Sequence, residues 1–307
     1  MSPDAEIIAR SILSLKSNTD VVKDYIFPVA MSFFSALIGA ISAHYVFKRQ
    51  EKFKQEKEKL DSFNSVYFNV NNCLNTLISI KYNYLHINTS SPIERAINFN
   101  NMIFSADKVD ENITGLSFIR SKPNQDKSIT NIIKNYFSSN NNTPLTTKEI
   151  SKTWRNLLRI NMILKNYNFA IELIKVRNNH DVEIRNILVT TLKQDSPQLV
   201  ANAQMIIDAI SPEKASIYVD LTEQSIAIID FLIVEMDSFL KESPMIAESN
   251  IDMKALKNIG STPRYTNEKQ KYIELVKPII RPDYTSLGRL LGTDSRSAQS
   301  RYTYGEW

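Results

Sequence analysis

The sequence predicts an all-α protein: a single-pass transmembrane helix, then a juxtamembrane helix or coiled coil, then a cytoplasmic helical bundle. Three observations carry this. The run Tyr25–Phe47 (YIFPVAMSFFSALIGAISAHYVF) holds no charge between Asp24 and Lys48-Arg49. A helix of roughly 23 residues at ~1.5 Å each covers about 34 Å, enough for the ~30 Å hydrocarbon core of a bilayer. Only 6 glycines and 11 prolines occur in 307 residues, too few for the frequent tight turns of a β-rich chain. Finally, Ser91-Pro92, Ser196-Pro197 and Ser211-Pro212 each precede a helix-periodic stretch, the pattern of a capping residue followed by proline in the first turn.

The chain opens on residues 1–24. Ser2 can cap a helix, Pro3 suits its first position, Asp4 and Glu6 favour the positive end of the dipole, and Ile8, Ile12 and Leu15 share a face. About 14 residues are marginal for an isolated helix, so Ser2 to Leu15 is either an amphipathic helix on the outer membrane surface or an unstructured leader.

The span, residues 25–47, has two unlike sides. At about 100° per residue, Ser32, Ser35, Ala36, Gly39, Ser42 and Ala43 fall on one side, and Phe33, Phe34, Leu37, Ile38, Ile41 and Tyr45 on the other. Small residues let helix backbones approach closely in lipid. Ser32, Ser35, Gly39, Ser42 and Ala43 are therefore the candidate helix-packing or pore-lining residues, and a homo-oligomer is expected. Lys48, Arg49, Lys52, Lys54, Lys57 and Lys59 follow the span, against Lys16 and Lys23 before it. Excess positive charge stays inside, which puts the C-terminal part in the cytoplasm and the span in the inner (cell) membrane. A cleaved signal peptide does not fit, because the apolar run is too long and its charges follow it.

Residues 48–88 lack proline and glycine and extend the helix. Leu60, Tyr67 and Leu74 take one heptad position and Phe63, Val70 and Leu77 the other, which suits a coiled coil between chains or a seam within one bundle. The cytoplasmic helical domain covers 89–243. A capping box at Ser91–Glu94 starts a helix reaching Phe104, and a short helix follows over Ile129–Phe137 before the loop SSNNNTP. A second capping box, Thr146–Glu149, opens a core helix from Thr147 to about Asn178, with His180-Asp181 at a junction. Helices at Pro197–Ile210 and Glu213–Lys241 complete the domain. The apolar stretch Ser225–Leu240 is interrupted by Asp230, Glu235 and Asp237, so it reads as a buried bundle helix and not a second span.

Residues 244–307 are basic, aromatic and punctuated by glycine and proline, with helix expected only over Asn267–Val276. Arginine interleaved with aromatics is the composition of surfaces that grip phosphate and stack bases. Arg264, Arg281, Arg289, Arg296 and Arg301, with Tyr284 and Tyr302, are the candidate contacts for a nucleotide or oligonucleotide; a solvated tail gives the same charges.

A net charge of +4 gives no reason to expect bulk nucleic-acid binding. The single cysteine, Cys73, forms no internal disulfide and reads as a small core hydrophobe. The chain carries no phosphate-binding loop, dinucleotide fingerprint, nucleophile elbow or zinc-helix motif. Neither an enzyme nor a cofactor is expected.

In layout, a short leader, one small-faced span and a cytoplasmic all-α domain, the chain resembles the membrane-embedded effectors of bacterial anti-phage defence systems. The resemblance covers the architecture and has no residue signature. It implies a soluble domain that senses a cue of infection and membrane helices that then open or disrupt the membrane. The other class is a membrane-tethered scaffold or receptor that recruits a cytoplasmic protein partner.

Overall fold

The computed structural model describes residues 2–15, 22–101, 106–120, 150–192, 203–256, 259–265 and 270–304. Every regular element among them is helical. The chain divides into two compact units, Met1–Gln55 and Glu56–Trp307.

In the first unit, α1 spans Pro3–Leu15 and exposes Ile7, Ile8, Ile12 and Leu13. A π-helical turn, Val22–Ile26, leads into α2, Phe27–Lys81. The wide turn lies just ahead of Pro28, which has no N–H and whose ring crowds the carbonyl four residues back. The N-terminal part of α2 carries an 18-residue window of mean hydropathy 1.6, none of it buried, and is long and apolar enough to cross a membrane.

In the second unit, α2 continues from Glu56 into the core. Leu60, Phe63, Tyr67, Val70, Leu74 and Leu77 are all buried among side chains of their own chain. The heptad pattern is therefore a seam within the domain, and the coiled coil between chains is corrected: side chains already covered by their own bundle cannot form a second core. Next comes α3, Pro92–Asn98. The expected extension to Phe104 stops at Asn98, because Phe99 turns to extended backbone and packs its ring 4.9 Å from that of Tyr84. Ser91 makes no side-chain cap bond. Glu94 instead accepts from the Thr89 hydroxyl (2.8 Å), which itself accepts from the Ser91 N–H (3.2 Å).

A 3-10 turn, Thr114–Arg120, precedes α4, Leu157–Leu192. Helix α4 begins ten residues later than Thr147 and runs well past Asn178. Asn156 supplies the start, its side-chain oxygen accepting from the Leu158 N–H at 3.1 Å. No junction occurs at His180-Asp181, because Asp181 is gripped within the helix by Arg177 (3.1 Å) and Arg185 (2.8 Å), one turn away on either side. The Thr146–Glu149 capping box, the Ile129–Phe137 helix and its loop, and the start at Pro197 lie outside the described residues.

Helix α5, Ala203–Ile210, leads to α6, Pro212–Glu248. Ser211 caps α6 as expected, but the helix passes Lys241 and carries Pro244 within it. Ile226, Ile229, Leu232, Ile233, Met236 and Leu240 are buried, which makes this stretch a core helix. Among the described residues of 259–304 there are three helices: α7 Gln270–Val276, α8 Tyr284–Leu291 and α9 Ser295–Arg301. Asp283 and Asp294 cap α8 and α9 through paired bonds to backbone N–H groups. Between these helices Gly292 adopts φ 68°, a left-handed cap that glycine accepts without strain.

Candidate functional site

Helix α6 carries a row of carboxylates, Asp220, Glu223, Asp230, Asp237 and Glu248, whose spacing puts them on one face. Each is met from elsewhere in the fold. Asp220 accepts from the Tyr302 hydroxyl at 2.6 Å and pairs with Arg301. Glu223 accepts from Arg95 Nε and Nη2 at 2.6 and 3.0 Å. Asp230 takes Lys81 Nζ (2.7 Å), the Tyr84 hydroxyl (3.1 Å) and the Ile279 N–H (2.9 Å). Asp237 accepts from the Tyr272 hydroxyl (3.0 Å) and Lys241 (2.7 Å). Glu248 accepts from the Thr262 hydroxyl and from Arg264 through both oxygens at 3.0 Å.

This row ties the described residues of 259–265 and 270–304 to α6 as a strap. Two buried cations also donate to strap carbonyls, Lys81 to Lys277 O (2.6 Å) and Arg95 to Ile280 O. Burial pushes the Glu223 carboxyl above its usual range, against the opposing pull of Arg95. Burial, reinforced by Asp220, likewise pushes the Tyr302 hydroxyl up, so it stays a donor.

Under the strap lies a cavity of about 250 Å³. One wall is α6, with Ile226, Ala227, Phe231 and Val234; the other is the strap, with Pro278, Ile279, Arg281 and Tyr284, closed by Tyr302 and Tyr304. The Phe231 and Tyr304 rings stack at 5.9 Å with an interplanar angle of 27°.

The expected nucleotide residues do not share one surface. Arg281, Tyr284 and Tyr302 line the cavity. Arg264 and Arg301 pair with Glu248 and Asp220. Arg296 borders a shallow depression over α9, and Arg289 is exposed on α8. Arg95, Glu223, Asp230 and Phe231 were not among the sequence candidates; for the first three the signal was charge placed inside helical stretches that also carry buried apolar residues.

A second buried polar cluster joins α4 to α6. Arg177, stacked over Phe99 (4.5 Å) and Tyr218 (5.1 Å), donates to Ala96 O (2.7 Å) and to the Tyr218 oxygen (2.9 Å). Tyr218 in turn bonds Asp181. Burial draws the Arg177 guanidinium down and pushes the Tyr218 hydroxyl up. These bonds hold α3, α4 and α6 together.

On α2, Ser32, Ser35, Gly39, Ser42 and Ala43 are exposed. Ser32 returns its hydroxyl to Val29 O (2.8 Å), and a Cβ added at Gly39 would meet nothing within 4 Å. Among the described residues no group of three or more His, Cys, Asp or Glu side chains is placed to hold a metal ion. Compared with known proteins, the chain matches no family model, and no curated protein or solved structure was found to be similar to it.

Proposed function

We infer that the protein is an oligomeric single-pass membrane effector. Its cytoplasmic helical domain senses a cue, and its membrane helices then open or disrupt the bilayer, as in anti-phage defence. The supporting observation is the wholly exposed apolar window of α2. Phe33, Phe34, Leu37, Ile38 and Ile41 stand open along it, and burying such side chains in lipid gains ~25 cal/mol per Å² of apolar surface removed from water. The basic residues after the span orient it with the helical domain inside. The small-residue face, open on α2, is the surface along which copies pack. A pathway lined by Ser32, Ser35 and Ser42 is narrow and mostly apolar, suited to gating by dewetting.

Membrane potential in cells expressing the full chain tests this reading. Depolarisation that disappears with Ser35→Leu supports the effector. Intact potential under every trigger, with a cytoplasmic protein recovered on the bait, supports a tethered scaffold instead.

A further inference from the structure

The cavity between α6 and the strap has the size and lining to hold a small molecule. We propose that it is the receptor site for a small amphipathic anion: a flat, apolar body of about two fused rings carrying one carboxylate or similar acidic group. The inference rests on the reading that the helical domain senses a cue, and it names the chemistry of that cue.

Size sets the first limit. At about 250 Å³ the cavity falls just below the ~300–1,000 Å³ of sites that hold drug-sized ligands, so an oligonucleotide does not fit. Its apolar lining and the stacked Phe231–Tyr304 rings favour a flat hydrophobic body.

Charge sets the second. Both Glu223 oxygens are taken by Arg95, and both Asp230 oxygens by Lys81, Tyr84 and the Ile279 N–H. A cationic ligand would find no open carboxylate. Four of the five Arg95 N–H groups are already engaged, Nε and Nη2 by Glu223 and Nη1 by Thr89 O and Ile280 O. Arg281 is different: it is exposed, lines the cavity, and among the described residues enters no ion pair. Tyr284 and Tyr304 also line the cavity, and among the described residues neither hydroxyl has a hydrogen-bond partner. Burial raises both phenols, which keeps them protonated donors. One cation and two donors beside an apolar slot suit an anionic acceptor group on an apolar body.

The walls come from two elements, so an occupant touches α6 and the strap at once. It therefore favours the arrangement in which the strap is down, as a ligand must if it is to bias a two-state domain.

The test uses the full chain in lipid nanodiscs with 2-naphthoate as probe, read by saturation-transfer NMR against empty nanodiscs. Saturable binding of one naphthoate per chain is expected, with a raised melting temperature. Arg281→Gln, a change on an exposed side chain, should weaken binding about tenfold, the size of one charge-assisted contact. Ala227→Trp, which fills the slot, should abolish it, and neither 2-naphthylmethylamine nor adenosine monophosphate should displace the probe. No saturable binding up to about 1 mM, unchanged affinity in Arg281→Gln, or displacement by the nucleotide would each overturn the proposal. Binding is read whether or not a membrane depolarises. Failure here with depolarisation intact removes only the ligand class, and naphthoate binding with potential intact removes only the effector reading.

Discussion

Arg95 and Glu223, 128 positions apart in sequence, close on each other through two parallel bonds of 2.6 and 3.0 Å in the interior of the helical domain. Both side chains are almost completely buried. A fork-to-carboxylate pair in this setting fixes direction as well as distance, and it places α3 against α6. Removing one partner should therefore be far worse than removing both. Arg95→Met strands a buried carboxylate and is expected to destabilise the domain by about 3–5 kcal/mol, while Arg95→Met with Glu223→Leu recovers much of that loss. Thermal unfolding of the detergent-solubilised chain checks this; single and double variants melting together would show that the pair is not a unit.

Two glycines give opposite expectations. A Cβ at Gly115 would sit 2.7 Å from Ser62 Oγ and 2.8 Å from Ser62 Cβ, so Gly115→Ala should cost about 1–3 kcal/mol through overpacking. A Cβ at Gly39 meets nothing within the chain. Gly39→Leu should leave melting unchanged and reduce the oligomer seen by cross-linking in detergent. An oligomer of unaltered size would remove this face of α2 from the interface.

Cys73 is buried, and burial pushes its thiol up to about 12. Because only the thiolate reacts, the folded protein should resist maleimide at pH 8 and label fully in denaturant. With a single cysteine in the chain, mass spectrometry gives the answer as one peak or two. Rapid labelling of the folded state would mean that α2 opens readily at this level.

The caps of α8 and α9 give a pH dependence of known sign. Asp283 is held below the usual carboxylate range chiefly by the Ser286 hydroxyl and the Thr285 N–H, and Asp294 chiefly by the hydroxyl and N–H of Ser297. A depressed folded value means stability that is present above the unfolded value of 3.8 and lost as pH falls through the folded one. Amide exchange over 284–301 should therefore quicken below pH 3.8, and Asp294→Asn should remove part of that acid sensitivity.

Much of the fold was legible because its signals were local and long. The uncharged run of α2, the heptad row from Leu60 to Leu77 and the Ser211-Pro212 start of α6 all lie within single elements. What the heptads packed against was not legible, since a row of apolar side chains fits a neighbouring helix and another chain equally well. Helices α8 and α9 were missed for a different reason: at 8 and 7 residues they are shorter than the ~11–18-residue window in which helical periodicity declares itself. Asp283 and Asp294 were the available cues. In the candidate site the sequence singled out the segment that carries Arg281, Tyr284 and Tyr302. Arg264 and Arg301 looked like phosphate contacts, yet their carboxylate partners lie 16 and 81 residues away on α6, a pairing that composition cannot reveal.

The strap also imposes an order on biosynthesis. Lys81 donates to the carbonyl of Lys277 across 196 positions, and at ~5–20 residues per second the ribosome makes that carbonyl about 10–40 s after the lysine. Through this interval Lys81 and Arg95 have emerged without two of their acceptors, and the carboxylates of α6 emerge before the strap that covers them. A nascent chain is thus held short of its finished core after its apolar helix has already been made. The apolar part of α2, long enough to cross a membrane, is complete before the domain that follows it in sequence can close.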